Sequence, residues 1–277
     1  MKNIPSKLIV AFFTMGFFLF TSCDKEENNP SEEVNFSSDN SMRAAKTDNV
    51  AEGTFNIIQQ AFVENETGGR GITQNSLFPT CVEITVGNQG NIFTILLDFG
   101  DSCTLNNGNV VSGKIFLEYG PLISGSYTVE YSLQDFIFNG NGVGGGGSIL
   151  YEIANQNDNP QATLTENITV SFPNTTVTAT RNGTRISEWV AGVGTGTWID
   201  NVYHVTGNWQ TEFTNGFTRN GEVTETLISK TSCPFVVDGR LQITQDGLTA
   251  IIDFGDGECD NMAVFIYNGQ EYPFTMN

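Results

Sequence analysis

Between Thr47 and Glu66 apolar residues recur at helical spacing, at Ala51, Phe55, Ile58 and Phe62. Thr47 and Asp48 precede them as capping candidates, and Gly68 and Gly69 follow as a stop signal. From Cys81 onward the period changes to two. "ATLTENITVSF" sends Leu164, Ile168, Val170 and Phe172 to one face and Thr163, Thr165, Thr169 and Ser171 to the other. "SYTVEYSL" does the same with Tyr127, Val129, Tyr131 and Leu133. Asn-Gly or Asp-Gly pairs at 139–140, 215–216, 220–221 and 246–247 predict tight hairpin turns. The pattern predicts an all-β fold: an antiparallel meander of about a dozen strands, preceded by one N-terminal amphipathic helix packed on the sheet. Its edges must be closed or covered, which calls for a barrel or a strongly curved sheet.

One pairing can be specified in detail. If Pro173-Asn174 forms a two-residue turn, Glu166 stands opposite Arg181 and Ile168 opposite Ala179. Both charges then fall on the apolar face, where each needs the other as a partner. The run "GNGVGGGGS" contains a formal G-x-G-x-x-G at Gly140, Gly142 and Gly145. A phosphate site needs a helix N-terminus after the glycines, whereas "SILYEI" continues as a strand. A hairpin at Asn139-Gly140 instead lays the glycines beside Leu133 and its neighbours, where bulky cross-strand side chains cover them.

The beginning of the chain departs from this pattern. Lys2 and Lys7 precede an apolar run, Leu8 to Phe20, of signal-peptide length and too short to span a bilayer well. Small residues Thr21 and Ser22 lead directly into Cys23, which makes residues 1–22 a lipoprotein signal peptide and Cys23 the lipidated residue. Phe20 departs from the leucine more usual in such a lipobox. Acyl chains on Cys23 would hold the protein to outer-membrane lipid, because each buried methylene adds roughly 0.8 kcal/mol. The following "CDKEEN" resembles the lysine-and-acid export tag of Bacteroidota lipoproteins, which implies display on the cell exterior. Residues 23–46 then read as the anchor and a polar, disordered tether, and 47–277 as a single β domain.

A repeat links the two ends of that domain. "TILLDFGD" (94–101) matches "TAIIDFGD" (249–256), and each copy starts at a cysteine, turns, runs the DFGD strand and reaches a second cysteine. Each then leads into a similar strand, "KIFLEYG" or "AVFIYNG". A turn at Asp246-Gly247 brings Cys233 close to Cys259. In the first copy a turn around residues 88–91 faces Cys81 with Asp98, so the chain must fold back at Gly100 to bring Cys103 near. Disulfides Cys81–Cys103 and Cys233–Cys259 are therefore expected in an exported chain, among the three pairings that four cysteines allow. The DFG triplet lacks the Gly-rich loop, strand lysine and catalytic-loop aspartate of a kinase. Asp253, Asp256, Glu258 and Asp260 could offer oxygens to calcium, but their spacing is not that of an EF-hand. Turn formation by Asp and Gly is the simpler account.

Paired cysteines, the "DFG…C" turn, a "SEWVAG" segment and the closing "CDN…A…YNG" make the chain resemble a family of Bacteroidota surface lipoproteins, from about Val50 to the end. The resemblance implies lipid anchoring and an all-β fold and brings no activity with it.

Charge and aromatic placement narrow the function further. Removing Lys2 and Lys7 with the leader takes the formal charge from −19 to −21, and no basic cluster offsets it, so nucleic acid is excluded as a partner. His204 falls on the polar face of "YHVTGNWQ", with no nucleophile nominated beside it. Trp189, Trp198 and Trp209 lie close along the chain, the first two separated by the glycine-rich "AGVGTGT". They suit core packing or stacking on sugar rings. The expected function is a non-catalytic, lipid-anchored binding or structural protein at the cell surface, with a glycan or protein ligand. The alternatives are a glycan hydrolase using paired carboxylates and a carrier of an apolar ligand inside the barrel. No catalytic, cofactor-binding or metal-ligating residue stands out.

Overall fold

The computed structural model describes residues 39–66 and 76–276, which belong to the unit Ser37–Asn277. The signal peptide, Cys23 and the Gly68-Gly69 stop lie outside the described residues. One helix, α1 (Asp39–Glu66), precedes fourteen strands. These are β1 (Glu83–Gln89), β2 (Ile92–Asp98), β3 (Cys103–Thr104), β4 (Val110–Tyr119), β5 (Ser126–Phe138), β6 (Asn141–Glu152) and β7 (Gln161–Ser171). They continue as β8 (Thr178–Ala191), β9 (Val202–Phe213), β10 (Thr218–Lys230), β11 (Val236–Gln245), β12 (Leu248–Asp256), β13 (Met262–Tyr267) and β14 (Gln270–Thr275). Every strand pairs antiparallel with its sequence neighbour, apart from the short β3, which pairs with β4 off the main path. The result is an open, strongly curved meander rather than a closed barrel.

The turn chemistry sets most of the register. Asn139-Gly140 and Asp246-Gly247 are two-residue turns with positive φ at both positions, and Asn268-Gly269 is a third. Asn215-Gly216 also turns the chain, between β9 and β10. Asn220-Gly221 does not: both residues lie inside β10. Gly221 faces the Trp209 indole, where an added Cβ would fall 2.3 Å from the ring. The glycine there makes room for an aromatic ring, so it carries no turn signal. Tyr131 covers Gly147 in the same way, with its hydroxyl 3.0 Å from where a Cβ would stand. Six residues form one row across the sheet, Tyr131, Gly147, Glu166, Gly183, Trp209 and Gly221. Large side chains in this row alternate with glycine or lean over it.

The helix lies against the apolar face of the sheet, touching β2, β5, β7 and β8. Ala51, Phe55, Ile58 and Phe62 are buried as the spacing predicts, and Ile57 and Ala61 beside them are fully buried. Phe62 packs against Tyr119, Tyr127 and Tyr151 of three successive strands. The helix begins at Asp39, not at Thr47, so the last eight residues of the predicted tether are helical. Ala44 is buried and Ser41 receives a hydrogen bond from Gln245 of β11 at 2.8 Å, so tertiary contacts hold this polar turn in helix. Thr47 is consequently interior, its hydroxyl donating to the Arg43 carbonyl.

Asp48 has a different task from capping. It pairs with Arg181 of β8 and lies 3.0 Å from Arg219 of β10. Arg181 also donates from Nε to Glu166 of β7 at 2.6 Å, with its guanidinium 4.2 Å from the centre of the Trp209 ring. The loop after β7 is longer than two residues, so Glu166 pairs across with Gly183 and Arg181 with Ile168. The shift is two residues, which preserves the face, and the two charges meet diagonally. Arg185, pairing with Glu52, adds a further helix-to-sheet tie.

The sheet ends in two edge strands. All six residues of β14 are exposed. Met276 donates its amide to the Asn261 carbonyl, and alternation along the ladder then places Pro273 in a non-hydrogen-bonded pair with Val264. The amide that Pro273 lacks would have pointed away from β13, into the open edge.

Candidate functional site

Both predicted disulfides form, Cys81–Cys103 and Cys233–Cys259, each with Cα atoms 5.7 Å apart. In the first unit β2 stops at Asp98 and the chain folds back at Gly100, where φ is positive, so that Cys103 opens the separate strand β3. Cys81 falls across from Gly100, two residues beyond the expected Asp98, because the β1–β2 turn is the tight pair Gly90-Asn91. The leading aspartate of each DFGD behaves alike. Asp98 accepts from the Gly100 amide at 3.0 Å and pairs with Lys114 at 2.6 Å. Asp253 accepts from the Gly255 amide at 3.0 Å and from Arg240 at 2.9 Å. Asp260 accepts from the Met262 amide at 2.9 Å. These are the bonds of turns, and among the described residues no three carboxylate, cysteine or histidine groups converge as a metal site.

The carboxylate pair that a glycosidase requires has a raised acid. Neither Asp98 nor Glu188 is such an acid, since both are held low. Lys114 lowers Asp98, and the side-chain amides of Asn155, Asn159 and Asn157 lower Glu188. His204 stands on the polar face, half-buried and paired in register with Glu188. Of the tryptophans, Trp209 faces the ion pairs beneath the helix, as described above. Trp189 and Trp198 meet elsewhere.

They line a cavity of about 400 Å³ between the last turns of α1 and the glycine-rich loop that joins β8 to β9. Gln60, Val63 and Glu64 contribute from the helix, and Tyr151 and Ile153 from the end of β6. Gly192, Val193, Gly194, Gly196, Thr197 and Asn201 form the loop side. The loop is braced from behind. Thr231 donates its hydroxyl to the Trp198 carbonyl and its amide to the Asn201 carbonyl. Thr195 ties the loop to itself through Gly192 and Asp200. Gly192 has φ +83°, and a Cβ there would fall 2.5 Å from Asn201 Oδ1, so only glycine lets the chain pass.

The walls are largely aromatic and aliphatic, yet three buried polar atoms in them have no hydrogen-bond partner. These are Trp189 Nε1, Thr197 Oγ1 and Asn201 Oδ1. Trp189 is 7 % exposed and Asn201 2 %. Asn201 is held in place by its amide nitrogen, which donates to the Tyr203 hydroxyl at 3.2 Å. Burial pushes that hydroxyl up to about 12, against the hydrogen bonds of Asn201 and Gln59. Glu64 is occupied, accepting from Gln60 at 2.8 Å, Ser76 at 2.6 Å and the Leu77 amide at 3.2 Å. Trp189 Nε1, Thr197 Oγ1 and Asn201 Oδ1 are covered by protein, and the surface the cavity presents is chiefly its aromatic and aliphatic faces.

A wider, shallow depression lies on the polar face over β5 to β10, lined by Thr165, Asn167, Asn182 and Asn208 with Glu130 and Glu222, and reaching Glu166 and Trp209 below. Its amides and hydroxyls are open to water, which satisfies them without a ligand. Sequence spacing marked Trp189 and Trp198 but gave no sign of Thr197, Asn201, Tyr151 or Gln60. Comparison with protein-family models, with curated proteins and with solved structures finds no match to this chain.

Proposed function

We propose that the protein is a non-catalytic binding protein, anchored through acylated Cys23 in outer-membrane lipid and facing the cell exterior, with its ligand site in the tryptophan cavity. One observation carries the binding role: a concave cavity of small-molecule size is walled by Trp189, Trp198 and Tyr151. The lipid anchor and exterior placement rest on the sequence from Lys2 to Asn28 and on the two disulfides, which suit an oxidising compartment.

Titration of small-molecule ligands against tryptophan fluorescence tests the binding role. A saturable change that disappears in Trp198→Ala supports it, and a response unaltered in that variant refutes it. Incorporation of labelled fatty acid into the wild type but not into Cys23→Ala tests the anchor.

A further inference from the structure

We infer that the polar face over β7 to β10 is a second binding surface, and that its ligand is an extended, uncharged polysaccharide chain laid across the strands. The strand register sorts the side chains of the shallow depression into two rows. Asn167, Asn182, Gln210 and Asn220 stand side by side in one, on β7, β8, β9 and β10. Two residues along each strand, Thr165, Thr184, Asn208 and Glu222 form the other, which continues through Ser148 to Glu130. Between them runs the row of Gly147, Gly183 and Gly221, whose large members project to the opposite face, so backbone floors the space between the two ridges.

The asparagines carry the inference. Asparagine is depleted in strands, yet one sits inside each of four consecutive strands here. In the loops asparagine side chains bond to protein: Asn157 and Asn159 hold Glu188, and Asn139 joins Asn109. Asn167, Asn182, Asn208 and Asn220 make no side-chain hydrogen bond to any described residue. Water satisfies them, but it would satisfy threonine equally, and threonine fits a strand better. The same face uses threonine at Thr163, Thr169, Thr180 and Thr206. The longer amides therefore offer hydrogen bonds that the fold itself does not use.

Charge and side-chain type select the partner. No lysine, arginine or histidine is among the described lining residues, and Glu130 and Glu222 close the ends of the longer row, so a polyanion is repelled. Those two carboxylates stand five inter-strand spacings apart, about 24 Å, too far to share a cation. Neither row carries the aliphatic or aromatic side chains that the centre of a protein interface needs. Each amide offers two N–H donors and a carbonyl, and each hydroxyl both donates and accepts. Sugar hydroxyls have the same dual character. A single exposed contact is worth little against water, so affinity must come from many contacts in line, and the rows are long enough for several sugar rings.

Affinity electrophoresis of the purified full chain in non-ionic detergent tests this. Dextran, galactomannan, arabinoxylan and a mixed-linkage β-glucan serve as neutral polymers, with heparin and polygalacturonate as anionic ones. Retardation by at least one neutral polymer is expected, and none by the anionic pair. Combining Asn167→Thr, Asn182→Thr, Asn208→Thr and Asn220→Thr should weaken that retardation at least tenfold, with a melting temperature unchanged or higher. The pair Asn182→Thr and Asn208→Thr alone should give a smaller loss, roughly threefold. Trp198→Ala, at the aromatic cavity, should be retarded like the wild type, which separates this surface from the site proposed above. Undiminished retardation in the folded threonine variants overturns the inference, as does retardation lost in Trp198→Ala. A threonine variant that melts clearly lower or fails to fold gives the asparagines a structural task and also overturns it. Silence of every neutral polymer, or retardation by the anionic pair alone, overturns it and leaves the cavity site standing.

Discussion

The first half of α1 and its last turns meet the sheet on opposite terms. At Asp48 and Glu52 the interface is charged, and the buried acids and arginines are paired with one another. At Gln60, Val63 and Glu64 the interface is aromatic and hollow. A chain under selection only for stability would fill the second region, since empty space costs free energy. The contrast separates a region that fixes the helix in position from one that keeps room beside it.

Four experiments can break or sharpen this contrast. The largest effect is expected at the charged end. Arg181→Met strands Glu166 in the interior and should cost about 3–5 kcal/mol in urea unfolding, while adding Glu166→Met should recover a substantial part. Full stability in the single variant would mean that this end fixes nothing. Next comes Tyr203, which connects the hollow end to the core. Its hydroxyl is raised from 10.0 to about 12 in the fold, so its stabilising contribution is complete below pH 10 and disappears as pH rises through about 12. That contribution is worth roughly 2–3 kcal/mol, and it predicts alkaline unfolding in the same window as phenolate absorbance appears. Phenolate formation for Tyr203 at pH 10 in a folded protein would contradict the burial described for it.

Smaller effects belong to the cavity itself. Gly192→Ala forces an unfavourable φ and a clash with Asn201, and should cost about 1–3 kcal/mol while distorting the loop. The smallest has the opposite sign. Thr197→Val removes an unpaired hydroxyl and should leave the unliganded protein as stable or more stable, by up to about 1 kcal/mol. A clear loss of stability on that substitution would show that the hydroxyl is already satisfied, and the contrast between the two regions would weaken.

Local rules carried the sequence analysis a long way. Alternation gave the meander, the tight Asn139-Gly140 and Asp246-Gly247 turns gave two registers, and the cysteine spacing gave both disulfides. Where a local signal misled, a tertiary contact had overruled it. Asn220-Gly221 has the composition of a turn, yet its glycine answers to Trp209 on the neighbouring strand. Thr47-Asp48 has the composition of a cap, yet Asp48 answers to arginines far along the chain. Glu166 and Arg181 found each other in spite of a different register, because a two-residue shift keeps the face. The cavity was hidden for a deeper reason. Gln60, Tyr151, Trp189 and Asn201 come from four separate segments, and an unpaired atom is defined by what surrounds it in space. The anchor at Cys23 stays an expectation from sequence.

Pro273 bears on a matter beyond the single chain. An open sheet with a fully exposed last strand offers a template on which further copies could stack, edge to edge, into fibres. A missing amide at the centre of that strand denies an incoming strand one of its hydrogen bonds. The proline costs the hairpin nothing on its inner side, because the amide would not have bonded to β13. Replacing it with threonine should leave the monomer intact and shorten the time that concentrated solutions stay clear. Colloidal stability in this molecule is thus written into one residue of its outermost strand.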